Sequence, residues 1–143
     1  VEFMKKGYTL VELLIVLAVI AALMAVATPM ALNAVKTARA SQVAQNLSNI
    51  MTAVQNYVNT ERDLPTSTDT FIDTLVSKGY LSSKPDNYTI TYSDTWTTNN
   101  GQIKATIIYG GGDVAVADVK KQNPNVTSSG NRPTMEATVV KWW

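Results

Sequence analysis

The chain has 143 residues, with 12 Lys and Arg against 11 Asp and Glu, and it contains neither His nor Cys. That length accommodates one small domain with an appendage rather than two domains. Without His or Cys the commonest metal sets and nucleophile–base pairs cannot be built, and the near-neutral balance leaves no basic footprint for nucleic acid.

Met4-Lys5-Lys6-Gly7 is a short basic segment that ends in glycine directly before an apolar run. From Tyr8 to Leu32 the only ionisable side chains are Tyr8 and Glu12. Leu13 to Leu32 is apolar apart from Thr28 and Pro29, and it is long enough to span a bilayer as a helix. Placing a carboxylate at the centre of a membrane helix costs roughly 2.5 kcal/mol or more, so an acid in such a run is a functional hypothesis. Lys5 and Lys6 hold the preceding segment on the cytoplasmic side, which sends everything after Leu32 outward. A secretory signal peptide has a shorter apolar core with a small-residue cleavage site behind it. Here Ala25-Val26-Ala27 imitates such a site but lies inside the run.

Gly7-Tyr8-Thr9-Leu10-Val11-Glu12, set between Lys5-Lys6 and the apolar run, resembles the N-terminus of a type IV pilin or pseudopilin precursor. The resemblance covers about the first 60 residues. It implies that residues 1–7 are a leader, starting at Val1 or Met4 and removed after Gly7, and that the new amine of Tyr8 is methylated. Residues 8–32 are then a transmembrane and filament-core helix. Cleavage before Tyr8 puts an α-amine about one helical turn from Glu12. The family role carried onto Glu12 is to pair with the Tyr8 amine of a neighbouring subunit and so set its register. The alternative for Glu12 is a carboxylate snorkelling to the headgroups from a helix end. Pro29 stands where pilins commonly carry a proline, which implies a kinked or locally melted stretch inside a filament; a tolerated membrane-helix proline is the alternative.

The implied partners are further copies of the chain in a helical homopolymer, a prepilin peptidase that also methylates, the membrane, and an inner-membrane assembly platform with a cytoplasmic ATPase. No cofactor, no nucleic acid and no catalysis are implied. The implied location is the cytoplasmic membrane, as a single-pass precursor with its N-terminus inside, and then an extracellular pilus or an envelope pseudopilus. Removing residues 1–7 takes out Glu2, Lys5 and Lys6 and leaves basic and acidic side chains equal in number. The missing cysteines exclude the C-terminal disulfide loop that many pilins carry. A single-span anchor with an external binding domain explains the hydropathy and the topology equally well, but it gives Glu12 nothing to do.

After Pro29 the pattern becomes one-sided. Val35, Val43, Leu47, Ile50, Met51, Val54, Tyr57 and Val58 follow steps of 3 and 4, so residues 33–62 read as the amphipathic half of one long helix. A helix from about Thr9 to Asn59 is about 75 Å long at 1.5 Å per residue. Asp63-Leu64-Pro65 ends it, and residues 63–143 form a small external head.

Thr70-Phe71-Ile72-Asp73 has capping-box spacing, with Asp in place of Glu. The helix it opens closes at Lys78 and Gly79. Leu75-Val76-Ser77-Lys78-Gly79-Tyr80-Leu81 resembles the segment after the long helix in major pseudopilins of type II secretion. Lys84-Pro85-Asp86-Asn87 departs from the Asp-Pro-Trp-Gly type sequence that leads into their calcium loop, which favours a pilin over a pseudopilin.

Tyr88 to Tyr92 alternates as a strand, Asn99-Asn100-Gly101 suits a hairpin turn, and Ile103 to Tyr109 is the returning strand. Gly110-Gly111-Gly112 breaks the chain and lacks the Lys-Ser/Thr of a phosphate loop. Asp113 suits the cap of a helix to Lys121, although Val-Ala-Val-Ala also permits a strand. Thr134 to Trp142 is the last strand, with one tryptophan of Trp142-Trp143 completing the core. Asp113 and Asp118 are candidate calcium ligands, but two acids without a loop pattern read as solvated. The expected fold is α+β, a pilin-like ladle in which a long N-terminal helix packs on a small antiparallel sheet of three or four strands.

Overall fold

The computed structural model describes residues 2–93 and 101–143, with side chains described from Thr9 onward. Its elements in chain order are α1 (Glu2–Glu61), α2 (Phe71–Ser77), β1 (Tyr88–Ser93), β2 (Gln102–Tyr109), α3 (Val116–Gln122), β3 (Thr127–Ser129) and β4 (Arg132–Val140). Two compact units divide the chain, Val1–Thr37 and Ala38–Trp143.

The first unit is helix alone. Its Ala, Leu and Met content favours that state, and every described side chain from Thr9 to Thr37 is exposed. The helix continues through Pro29, so the melted stretch implied by the resemblance is not a property of the isolated chain. Pro29 has no N–H to give to the Ala25 carbonyl. Beside it the Thr28 hydroxyl donates to the Met24 carbonyl at 2.8 Å, tightening the same turn. Val35 was expected in the apolar stripe and is instead 60% exposed. Burial on α1 begins only at Ala40, the first of its residues to join the core.

The second unit is the α+β body that the pattern predicts. Its four strands run in the order β1-β2-β4-β3, all pairs antiparallel. On β2, Ile103, Ala105, Ile107 and Tyr109 alternate inward, as a sheet with one covered face requires. Ala105, Ile107 and Tyr109 meet Val43, Leu47, Ile50, Val54 and Val58 of α1 and Phe71, Ile72 and Leu75 of α2 in one core. Phe71 is fully buried; it packs edge-on to Tyr57 at 5.5 Å and to Tyr92 at 6.3 Å.

The helix ends differ from expectation in instructive ways. α1 stops because Arg62 turns left-handed (φ 57°) while its N–H still reaches the Val58 carbonyl at 2.9 Å. α2 has no capping box. Thr70 sits at φ −102°, ψ 5° rather than extended, and its side chain makes no cap bond. Asp73 is drawn instead to Lys84 at 2.8 Å. The other end of α2 is as read: Gly79 (φ 82°) donates to the Val76 carbonyl and Tyr80 to that of Leu75, which is a Schellman closure.

Residues 116–122 are helical, which resolves the helix-or-strand ambiguity, but Asp113 is not the cap. Ala115 holds that position, while Asp113 is engaged elsewhere. β4 begins two residues earlier than expected and ends before the tryptophans, and β3 was not foreseen. Gly130 (φ 56°) and Asn131 (φ 62°) join β3 to β4 in a two-residue turn with both residues left-handed. Of the expected hairpin turn at 99–101, Asn99 and Asn100 lie outside the described residues; Gly101 has φ 80°. Trp143 is the partly buried tryptophan packed on the core. Trp142 is 61% exposed, with its Nε1 donating to Asn59 Oδ1 at 3.1 Å and the Arg62 guanidinium 5.1 Å from its ring centre.

Candidate assembly and processing segment

The residues singled out for processing and assembly, Gly7, Tyr8, Glu12 and Pro29, all lie on α1 within the first unit. Gly7 and Tyr8 are helical in backbone. Glu12 follows one turn later and is exposed. Around it Leu10, Val11, Leu13 and Leu14 are 54–61% exposed, and the apolar surface continues through Leu17, Leu23, Met24 and Met30 to Leu32. The helix is long and apolar enough to cross a membrane. Glu12 is the only acid or base on it between Thr9 and Val35. An apolar surface of this extent marks contact with lipid or with other protein, and burying it is worth about 25 cal/mol per Å².

Residues 3–28 match the family model for the prokaryotic N-terminal methylation motif, the signal of prepilins and pseudopilins. Over those residues the chain is similar to the N-terminus of type IV pilin-like precursors. No curated protein and no solved structure matches it. The matched residues include Gly7, Tyr8, Glu12 and most of the apolar run, and the motif is a structural signal rather than a catalytic one.

The second unit also holds polar clusters that sequence reading missed. Tyr109 donates its hydroxyl to Asp113 Oδ1 at 2.6 Å, and Arg39 of α1 reaches Asp113 Oδ2 at 3.4 Å. Burial first, and then the hydrogen bond to the carboxylate, push the Tyr109 phenol up to about 12. The same hydrogen bond, with help from Arg39, holds Asp113 below the usual carboxylate range. Tyr88 stacks obliquely on Tyr109 at 5.0 Å and accepts a hydrogen bond from Asn46 at 3.2 Å.

A second cluster joins the end of α1 to the end of α2. Lys78 Nζ meets Glu61 Oε2 at 2.8 Å, and the Tyr80 hydroxyl donates to Glu61 Oε1 at 3.2 Å. The hydrogen bond from Lys78 lowers the Glu61 carboxyl, and the same bond raises the Lys78 ammonium. Asp113, weighed as a calcium ligand, thus has both oxygens committed to protein groups, and Asp118 sits in the first turn of α3. Among the described residues no three His, Cys, Asp or Glu side chains gather as a metal set. The long-range partners of Asp113 and Glu61 left no periodic or motif signal; only the unlike charges were visible.

Proposed function

We propose that this chain is the precursor of a structural subunit of a type IV pilus or related filament, and that it polymerises through its N-terminal helix once cut behind Gly7. The observation that carries the reading is the uncovered apolar run after Tyr8 with Glu12 as its one acid, most of it within the matched methylation motif. Lipid tails are as apolar as leucine, so moving this helix from bilayer to a bundle of neighbours changes little in hydrophobic terms. Direction and register must come from something else. Cutting the Gly7–Tyr8 bond frees an α-amine, and Glu12 of an adjacent copy is its counter-charge in a low-dielectric core. Gly7 lets the peptidase close on the bond, and Tyr8 receives the methyl group. Pro29, which gives no hydrogen bond to Ala25, is the weakest point of the helix and the place where it opens on packing.

The partners are then other copies, a prepilin peptidase and methyltransferase, and an ATP-driven assembly platform in the membrane. The test is intact-mass analysis of membrane fractions. The wild-type chain is expected to begin at a methylated Tyr8, and Gly7→Val is expected to accumulate uncut. A wild-type chain retaining Met4–Gly7 in cells with an active prepilin peptidase overturns the reading.

A further inference from the structure

Among the described residues of the second unit, the large apolar side chains are buried or partly covered except Val140 and Trp142, which are 50% and 61% exposed. Trp142 is nevertheless held in place. Its Nε1 donates to Asn59 Oδ1 at 3.1 Å, and its ring meets that of Trp143 at 5.8 Å and 88°. The Lys141 N–H just before it is anchored on the Gly101 carbonyl at 2.6 Å. A ring braced in this way has little side-chain freedom left to lose when something lies against it. Two cations stand at its rim: the Arg62 guanidinium is 5.1 Å from the Trp142 ring centre, and Lys141 Nζ is 5.8 Å from that of Trp143. Among the described residues neither cation is paired with a carboxylate. The acids beside Arg62 are committed elsewhere, Glu61 to Lys78 and Tyr80, and Asp63 to the Leu64 N–H. Asn59 accepts through Oδ1 and makes no bond through Nδ2 among the described residues, which leaves that amide two N–H donors.

The face of an indole is electron-rich and attracts positively polarised edges such as C–H groups. With cations and amide donors at the rim, the complementary group is a ring that is C–H on one side and carries hydroxyls and an anion at its edge. That is a pyranose bearing a carboxylate or sulfate. Area argues against a protein occupant. One aromatic side chain offers about 150–250 Å², whereas a specific protein interface buries about 1,200 Å² or more. Single-stranded nucleic acid also stacks on aromatic rings, but it runs its phosphates along a positively charged groove; here Arg62 lies between Glu61 and Asp63. Position argues against a lipid surface: α1 rises about 35 Å from Ala38, where it enters this unit, to Arg62 at its end. We propose that Trp142 is the platform of a binding site for an acidic sugar residue, with Arg62 and Lys141 receiving its anion and Asn59 Nδ2 a ring hydroxyl. The site goes beyond the filament reading and stands whether or not the chain polymerises.

The test is titration of the full chain in detergent, by calorimetry and indole emission, with paired sugars that differ in the acid: oligogalacturonate against its methyl ester, and sialyllactose against lactose. The expected result is saturable binding of at least one acidic member, with a Kd about tenfold or more below that of its neutral partner, as loss of a charge-assisted hydrogen bond predicts. Trp142→Ala is expected to weaken binding of both members of that pair, and Arg62→Gln with Lys141→Gln to erase the difference between them. Thr91→Ala, on the exposed face of β1, is expected to bind as wild type. Should Trp142→Ala fail to melt as a folded protein, the double variant at two exposed cations carries the test: a lost preference for the acid supports the site, and a kept one overturns it. Binding by neither acidic sugar, equal binding of acid and neutral partner, unchanged binding by folded Trp142→Ala, or a response to oligothymidylate or phosphatidylglycerol alone each overturns the proposal.

Discussion

Glu12 and Asp113 are both carboxylates, and their surroundings assign them different work. Glu12 is an exposed acid on an apolar helix, and its proposed counter-charge belongs to another molecule. Glu12→Gln keeps the shape but leaves the neighbour's amine unpaired, and breaking a buried pair in that way costs about 3–5 kcal/mol at each contact. The variant is expected to insert and be cleaved normally and to yield almost no filament, read by immunoblotting sheared fractions beside membranes. Normal filament yield with a cleaved Tyr8 terminus ends the assembly role. Asp113, by contrast, is served within its own fold by Tyr109 and Arg39. Its lowered pKa means that its contribution is present above the ordinary carboxylate range and is lost as pH falls through the folded value. Tyr109 is raised, so its contribution is complete below the ordinary value of 10.0 and is lost as pH climbs toward about 12. Tyr109→Phe is therefore expected to flatten the alkaline limb of the head's stability curve and, by removing the donor to Asp113, to soften the acid limb. Thermal melts across pH read both limbs.

At the scale of elements, closures matter more than starts. Gly79 holds φ 82° at the end of α2, a region that costs a residue with a Cβ about 1–2 kcal/mol. Gly79→Ala is expected to destabilise the head by about that amount. Thr70→Ala, which removes a side chain making no cap bond, is expected to stay within about 0.5 kcal/mol. Urea unfolding of the two variants separates them, and equal losses contradict the geometry. The Gly110–Gly112 loop gives a second contrast. A Cβ on Gly111 meets the hydroxyl end of the Tyr109 ring, whereas one on Gly112 meets nothing. Because Asp113 pins that ring, Gly111→Ala is expected to cost about 1–3 kcal/mol, well above Gly112→Ala.

Across the whole molecule one helix serves two solvents. From Thr9 to Val35 the apolar side chains of α1 are uncovered, and from Ala40 onward one side of α1 is buried in a core shared with α2 and the sheet. Leu47→Ala is expected to cost about 2–5 kcal/mol of head stability by opening a cavity in that core. Leu17→Ala removes a side chain that is 59% exposed, and it is expected to leave the head's melting in detergent unchanged. A drop in melting temperature for Leu17→Ala comparable with that of Leu47→Ala contradicts this division of labour.

The basic segment ending at Gly7, the apolar run, the lone Glu12, the 3–4 stripe of α1, the glycine closing α2 and the alternation of β2 were all legible in the sequence, because each is a local pattern of period or spacing. β3 was missed although Gly130-Asn131 announces a tight hairpin, because Thr127-Ser128-Ser129 is too short and too polar to alternate. Val35 fits the period of the stripe, yet period alone does not say where the covering surface begins. The partners of Asp113, Asp73 and Glu61 were decided only by the tertiary structure. Arg39 and Asp113 are 74 positions apart in the chain and 3.4 Å apart in space, and which unlike charges meet depends on how α1, α2 and the β2–α3 loop pack around Phe71, Leu47 and Ile107. Local periodicity determines which face each element buries; the packing of those faces determines which polar side chains become neighbours.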